Sequence, residues 1–265
     1  VRLLAVDLDG TLLRSDLTVS DRTRAALRSA SAAGATVALV TARSPRSARE
    51  IAADLGLGGL AVCASGATTF DLDTNAIVDH RPLDTATAHR LVRELRGSTD
   101  GVVFGWESEL TFGSEPAYEE LRSPEWPRPE GSFPPSDPLV FAGPFTKLIA
   151  RSPRVPLAEL HERTSAAAGR RATVTLAGDA FVEVLAPGAT KGAAVAALAG
   201  RLGVRAAEVV AFGDQLVDIS MLEWAGHGVA PANATDVVRA AADEVTAPND
   251  DDGVALVLER LFSQP

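Results

Sequence analysis

The stretch Leu3-Leu4-Ala5-Val6-Asp7-Leu8-Asp9-Gly10-Thr11 decides how this chain is read. Its first four residues are a short apolar run of the kind that forms a strand buried on both faces. Two aspartates follow at a spacing of two. If strand geometry persists to them, period-two alternation points both side chains the same way. Gly10 permits a sharp turn just beyond. In parallel α/β sheets, ligands bind off the carboxyl ends of strands. Two carboxylates there suit a hard divalent cation, or a nucleophile paired with a general acid. Standing alone, Asp-x-Asp would read as a surface turn with two solvated aspartates. The strand before it and the helix after it favour a site.

Outward from this stretch the chain alternates strand and helix. Ser20 is an N-cap, Thr23, Ala26, Leu27 and Ala30 follow at helical spacing, and Gly34 ends the helix. Val37 to Val40 is a second buried strand. Ser44-Pro45 supplies an N-cap with proline in the first helical position, and Leu60 to about Ala64 is a third strand. This order predicts right-handed crossovers and a parallel sheet. The pattern then changes. Thr68–Leu72 and Ala76–His80 flank a hairpin turn, and a helix is expected from Asp84 to Arg96. Paired strands are expected at Val102–Trp106 and Leu110–Phe112, then a long irregular loop from Glu115 to Pro138 with seven prolines. A strand at Lys147–Ala150, a helix near Leu157–Ala168 and a hairpin turning at Gly178-Asp179 complete this section. Alternation returns with a helix at Lys191–Leu202 and a buried strand at Val209–Phe212. The expected fold is therefore α/β: a Rossmann-like parallel sheet core over residues 1–82 and 184–265, with an inserted α+β cap over 83–183.

Composition narrows the function. Of the 265 residues, 46% are hydrophobic, which supports a packed core, and the net charge of −10 argues against sequence-independent nucleic-acid binding. The single cysteine, Cys63, sits in an apolar run and reads as a core residue; it allows no intrachain disulfide, which fits a reducing cytosol. No signal-peptide pattern is visible and no apolar run reaches the ~20 residues needed to span a bilayer. A cytoplasmic location without membrane association is expected. The four histidines show no metal-ligand spacing.

Three further stretches carry candidate chemistry. Val40-Thr41-Ala42-Arg43 closes the second strand, where the Thr41 hydroxyl either caps the next helix or meets a ligand. Lys191 opens a helix, a position the helix dipole disfavours for a cation, so a nearby anion is implied unless the side chain is simply solvated. Gly213-Asp214-Gln215-Leu216-Val217-Asp218 follows the Val209–Phe212 strand and adds two carboxylates.

With these four motifs in this order, the chain resembles the haloacid dehalogenase superfamily, and its insertion and tail resemble the Cof-type phosphatases. The resemblance implies a phosphatase that hydrolyses a small phosphorylated metabolite, a sugar phosphate or a nucleotide- or flavin-like monophosphate. It makes Asp7 the nucleophile that forms an aspartyl-phosphate and Asp9 the acid and base. Thr41 and Ala42 would meet the phosphate, and Lys191 would offset its charge. Mg2+ would be held by Asp7, the backbone carbonyl of Asp9 and Asp214, with Asp218 behind them orienting a metal-bound water or Lys191. A monomer or homodimer is expected. A phosphotransferase or mutase on the same intermediate, and a phosphometabolite-binding protein with weakened catalysis, are the alternatives. Four positions depart from the family pattern: Ala42 replaces a glycine, Val217 an asparagine, Pro231 a methionine, and Ser65 an asparagine. Within the insertion, Trp106, Glu107 and Lys147 are either substrate contacts or ordinary packing and solvated charge. Trp126, Trp224, Met221 and Leu222 read as packing residues.

Overall fold

The computed structural model describes residues 1–122, 128–176, 178 and 180–262; Trp126 and Asp179 lie outside them. The chain divides into two compact units, Val1–Val78 with Thr190–Pro265, and Asp79–Ala189.

The first unit begins β1 (Leu3–Val6), α1 (Asp21–Ala32), β2 (Thr36–Leu39), α2 (Pro45–Leu55), β3 (Leu60–Cys63) and β4 (Thr68–Asp71), and β5 (Ala76–His80) runs across its boundary at Val78. The N-caps are those expected: the Ser20 side chain accepts the Thr23 N–H, and Ser44 accepts from Ser47 with Pro45 behind it. β1 and β2 pair in parallel from Leu3–Thr36 to Val6–Leu39. The third strand meets the expectation in part. β3 pairs antiparallel with β4 in a separate β3-β4-β5 sheet, and meets the β2 chain through the parallel bridge Val40–Val62. The tight turn at Ala64–Gly66 reverses the chain immediately, so the partner that β3 finds first is its own hairpin strand.

The second unit runs α3 (Thr85–Ser98), β6 (Val103–Ser108), β7 (Thr111–Ser114), α4 (Pro116–Glu119), β8 (Lys147–Arg151), α5 (Leu157–Ala168), β9 (Thr173–Leu176) and β10 (Val182–Leu185). Its sheet has the order β7-β6-β8-β10-β9, with antiparallel neighbours. Alternate residues Phe104, Trp106, Leu148, Ala150, Val182 and Val184 share one core with Leu91, Val92 and Leu95 of α3 and Leu160 of α5. Among the described residues, the proline-rich loop has little regular structure. It starts with the short helix α4, and Arg128 ties Ser114, Glu119 and the Phe133 carbonyl together.

The chain then returns to the first unit as α6 (Lys191–Leu202), β11 (Val209–Phe212), α7 (Ile219–Trp224), β12 (His227–Pro231), α8 (Asp236–Ala241), β13 (Glu244–Thr246) and α9 (Gly253–Phe262). Its sheet order is β13-β12-β11-β1-β2, and the strands are parallel. β1 is thus flanked by β11 and β2, and all three deliver their carboxyl ends to one edge. Leu3 and Ala5 pack with Val195, Leu198 and Ala199 of α6 and with Met221 and Leu222 of α7, while Trp224 is partly buried at the margin. Pro231 falls beyond the last β12 residue paired with β11, so its missing N–H breaks no bond in that ladder.

Helices α6 and α7 touch because residue 192 has no side chain. A Cβ there would lie 2.1 Å from the Ser220 carbonyl oxygen. Gly192→Ala therefore sets a helix-propensity gain of about 1 kcal/mol against a backbone clash costing roughly 1–3 kcal/mol. The clash is expected to win, and the chemical-denaturation midpoint of Gly192→Ala should fall below that of the parent.

Candidate active site

The carboxyl ends of β1, β2 and β11 and the start of α6 bring the candidate residues together. Asp7 continues β1, with its N–H bonded to the Phe212 carbonyl at 3.0 Å. Thr190 caps α6 by accepting the Ala193 N–H at 3.1 Å, which fixes where Lys191 begins the helix. The Lys191 ammonium lies 2.6 Å from Asp7 Oδ1 and 2.6 Å from Asp218 Oδ1. These carboxylates are the anions that a lysine at a helix start calls for.

Asp7, Asp214, Asp218 and Lys191 are all buried. Asp218 Oδ2 accepts the N–H groups of Asp214 at 3.1 Å and Gln215 at 2.9 Å, and its Oδ1 accepts from Lys191. Both of its oxygens are thus engaged in holding the site together. Asp214 accepts from Thr11 Oγ1 at 2.9 Å on Oδ1 and from Gln215 Nε2 at 2.8 Å on Oδ2. Gly10 lies flat against this carboxylate: a Cβ there would sit 2.4 Å from Asp214 Oδ2, and its φ is +78°. The motif glycine is therefore required twice, by backbone conformation and by space.

Three buried carboxylates face one ammonium, so the cluster lacks positive charge. Burial, and then the Asp218 charge, hold the Asp7 carboxyl well above the usual carboxylate range, with Lys191 offsetting only part of the effect. Asp214 is also raised, first by burial and then by Asp218, against its bonds from Thr11 and Gln215. Burial alone would lower the Lys191 pKa, but Asp218 and Asp7 outweigh it and raise the pKa. Oxygen atoms of Asp7, Asp214 and Asp218 all lie within 4.8 Å of one another. A charge deficit among clustered carboxylate oxygens fits a hard divalent cation such as Mg2+.

The other expected residues stand around this cluster. Thr41 is fully buried; its N–H donates to the Val62 carbonyl at 2.8 Å, and its Oγ1 accepts the Arg43 N–H at 3.0 Å. Ala42 is half-buried at the same strand end. The Asp9 side chain lies outside the acidic cluster and forms a two-point ion pair with Arg43, Nε at 2.7 Å and Nη2 at 2.5 Å. The partners Arg43, Thr11 and Gln215 had no role assigned from sequence. Arg43 lies 34 positions from Asp9, and no local pattern links the two. Asn233 is a further unanticipated support, donating to the Gly10 carbonyl at 2.8 Å and accepting from Asn249 N at 3.0 Å.

In the second unit, Trp106 is fully buried among Phe141 and Phe145, so it is a core residue. Lys147 and Glu107 face each other in register on β8 and β6 and are buried; Lys147 is paired with Glu183 of β10. Burial would lower the Lys147 pKa, but Glu183 and Glu107 together raise it. These charges are neither solvated nor simple apolar packing. His80, His89 and His227 bond Thr146, the Phe141 carbonyl and Glu244.

Removing one carboxylate should stabilise the metal-free protein. A carboxyl whose pKa is raised by folding weakens stability as pH climbs from its unfolded value through its folded one. In EDTA at neutral pH, Asp7→Asn is expected to melt about 2–4 °C above the parent. The gap should close as the pH approaches the ordinary carboxylate range, as followed by circular dichroism.

Comparison with known proteins shows the family. Residues 4–258 match the family of haloacid dehalogenase-like hydrolases. The chain is 30% identical over 261 residues to 5-amino-6-(5-phospho-D-ribitylamino)uracil phosphatase YcsE of Bacillus subtilis, covering 96% of this chain and 93% of that protein. A solved haloacid dehalogenase-like hydrolase of B. subtilis superposes with a TM-score of 0.84 at 26% identity, covering 98% of this chain and all of the other (100%). A solved protein of Streptococcus mutans shares the fold with a TM-score of 0.87 at 22% identity, over 100% of both chains. Among the described residues no helix is long and apolar enough to cross a membrane. With the β1 aspartates, the α6 lysine and the post-β11 aspartates on one sheet edge, and a match over nearly its whole length, the chain belongs to the haloacid dehalogenase-like hydrolase family.

Proposed function

We propose that this enzyme is a magnesium-dependent phosphatase that hydrolyses a small phosphate monoester through an aspartyl-phosphate on Asp7. The observation that carries this reading is the buried Asp7–Lys191–Asp218 bridge, with Asp214 beside it, at the carboxyl edge of a parallel sheet. YcsE, by its name, is a phosphatase of a ribityl phosphate joined to a small heterocycle. That supports the same substrate class here, a small phosphorylated metabolite.

Asp7 and Asp214 would hold the cation, which when bound supplies the positive charge that lets a carboxylate and a phosphate approach. The Asp7 oxygen attacks phosphorus, the ester P–O bond breaks, and the leaving oxygen takes a proton from Asp9. Asp9 then removes a proton from water, which attacks the same phosphorus. The acyl-phosphate bond breaks, inorganic phosphate leaves and the Asp7 carboxylate is restored. Lys191 stays charged throughout and offsets the negative charge on the phosphoryl oxygens. The Thr41 hydroxyl has one O–H to donate to a phosphoryl oxygen. Arg43 holds both oxygens of the Asp9 carboxylate, so Asp9 has to leave that ion pair to reach the leaving group. The inserted unit would act as the cap that selects the rest of the substrate.

Phosphate release from sugar phosphates, nucleoside monophosphates and flavin mononucleotide tests this reading. Release should require Mg2+, stop with EDTA and fall to background in Asp7→Asn. Lys191→Met should lower kcat by roughly 10²–10³. Turnover that survives in Asp7→Asn would overturn the mechanism.

A further inference from the structure

We propose that Gln215 is a positioning residue that fixes the Asp214 carboxylate for the cation, an inference that rests on Asp7 and Asp214 being metal ligands. One residue here reaches two carboxylates. Its side-chain amide donates to Asp214 Oδ2 at 2.8 Å, and its backbone N–H donates to Asp218 Oδ2 at 2.9 Å. Thr11 holds the other Asp214 oxygen at 2.9 Å. Asp214 is therefore pinned at both oxygens, from Thr11 on the inner side and from Gln215 on the outer.

A carboxylate oxygen has more than one lone-pair direction, so an oxygen that accepts one hydrogen bond can still bind a cation. Two donors placed this way set the rotation of the carboxylate before the metal arrives. Gln215 is exposed whereas Asp214 is buried, so the amide closes the solvent edge of the cluster. Without it, that oxygen is left to water. The Thr11 bond then holds the carboxylate by itself. The turn Leu216–Asp218 gives this role to residue 215: Val217 in the same turn carries no polar group. Partners behind metal ligands typically account for 10–100-fold in metal affinity or activity, and an exposed amide belongs at the lower end of that range.

The test is Mg2+ titration of the intact, EDTA-stripped protein, followed by thermal shift and by calorimetry, for the parent, Gln215→Met and Asp214→Asn. Methionine keeps the length of glutamine and removes the donor. Gln215→Met should raise the Kd for Mg2+ by about tenfold, while its Tm in EDTA stays within about 2 °C of the parent. In turnover assays, the Mg2+ concentration for half-maximal rate should rise in step, with KM for the ester unchanged at saturating Mg2+. An unchanged Kd in Gln215→Met, alongside lost binding in Asp214→Asn, would overturn the positioning role and leave the metal site standing. A lower Tm with an unchanged Kd would also overturn it, making Gln215 a stabilising contact alone. If the parent shows no Mg2+ binding, the metal reading fails and this inference falls with it.

Discussion

One buried ammonium holds the site together. Lys191 Nζ is 2.6 Å from oxygens of both Asp7 and Asp218, and the residues it joins lie 184 and 27 positions away in the chain. A charge this deeply buried is tolerated only when paired and hydrogen-bonded. Lys191 meets that condition with two carboxylates, and each carboxylate in turn depends on Lys191. Removing the lysine would leave two buried anions beside a third, so the bridge underlies both the geometry of the site and its charge balance.

Sheet order makes the bridge possible. β1 lies between β11 and β2, and the parallel direction brings Asp7, Thr41 and Asp214 to the same edge from three distant parts of the sequence. α6 then supplies Lys191 from its first residue. Close packing tunes the placement: Gly192 lets α6 rest against the Ser220 carbonyl, and Gly10 lets the first loop rest against Asp214. Interiors packed this densely leave little room for compromise, so both contacts are met by the one residue without a side chain.

The electrostatics reconcile an acidic protein with an anionic substrate. At a net charge of −10 the overall field repels a phosphate ester. Within the site, the burial that raises the Asp7 pKa also strengthens every nearby charge interaction, because the effective dielectric is low. A cation bound there would relieve repulsion among three carboxylates at once. Arg43, paired with Asp9 outside the cluster, neutralises a fourth carboxylate that would otherwise add to the negative charge.

Much of this was legible in the sequence because the signals are local. The apolar run Leu3–Val6, the caps Ser20 and Ser44, and the spans of α5, α6 and β11 follow from periodicity and capping over a few residues. Asp7, Thr41, Lys191 and Asp214 each sit at a strand end or helix start that those signals mark, and the resemblance to a known family supplied their roles. Tertiary structure alone decided the rest. It gave β3 an antiparallel hairpin partner across a tight turn, besides its parallel contact with the chain after β2. It turned Trp106 into the aromatic core and buried Lys147 against Glu183 from a distant strand. It also chose Arg43 for Asp9, and Thr11 with Gln215 for Asp214. A sequence specifies which groups stand at the end of each element, since that depends on neighbours along the chain. Which distant group each one meets depends on strand order and helix approach, and these are fixed only when the whole sheet packs.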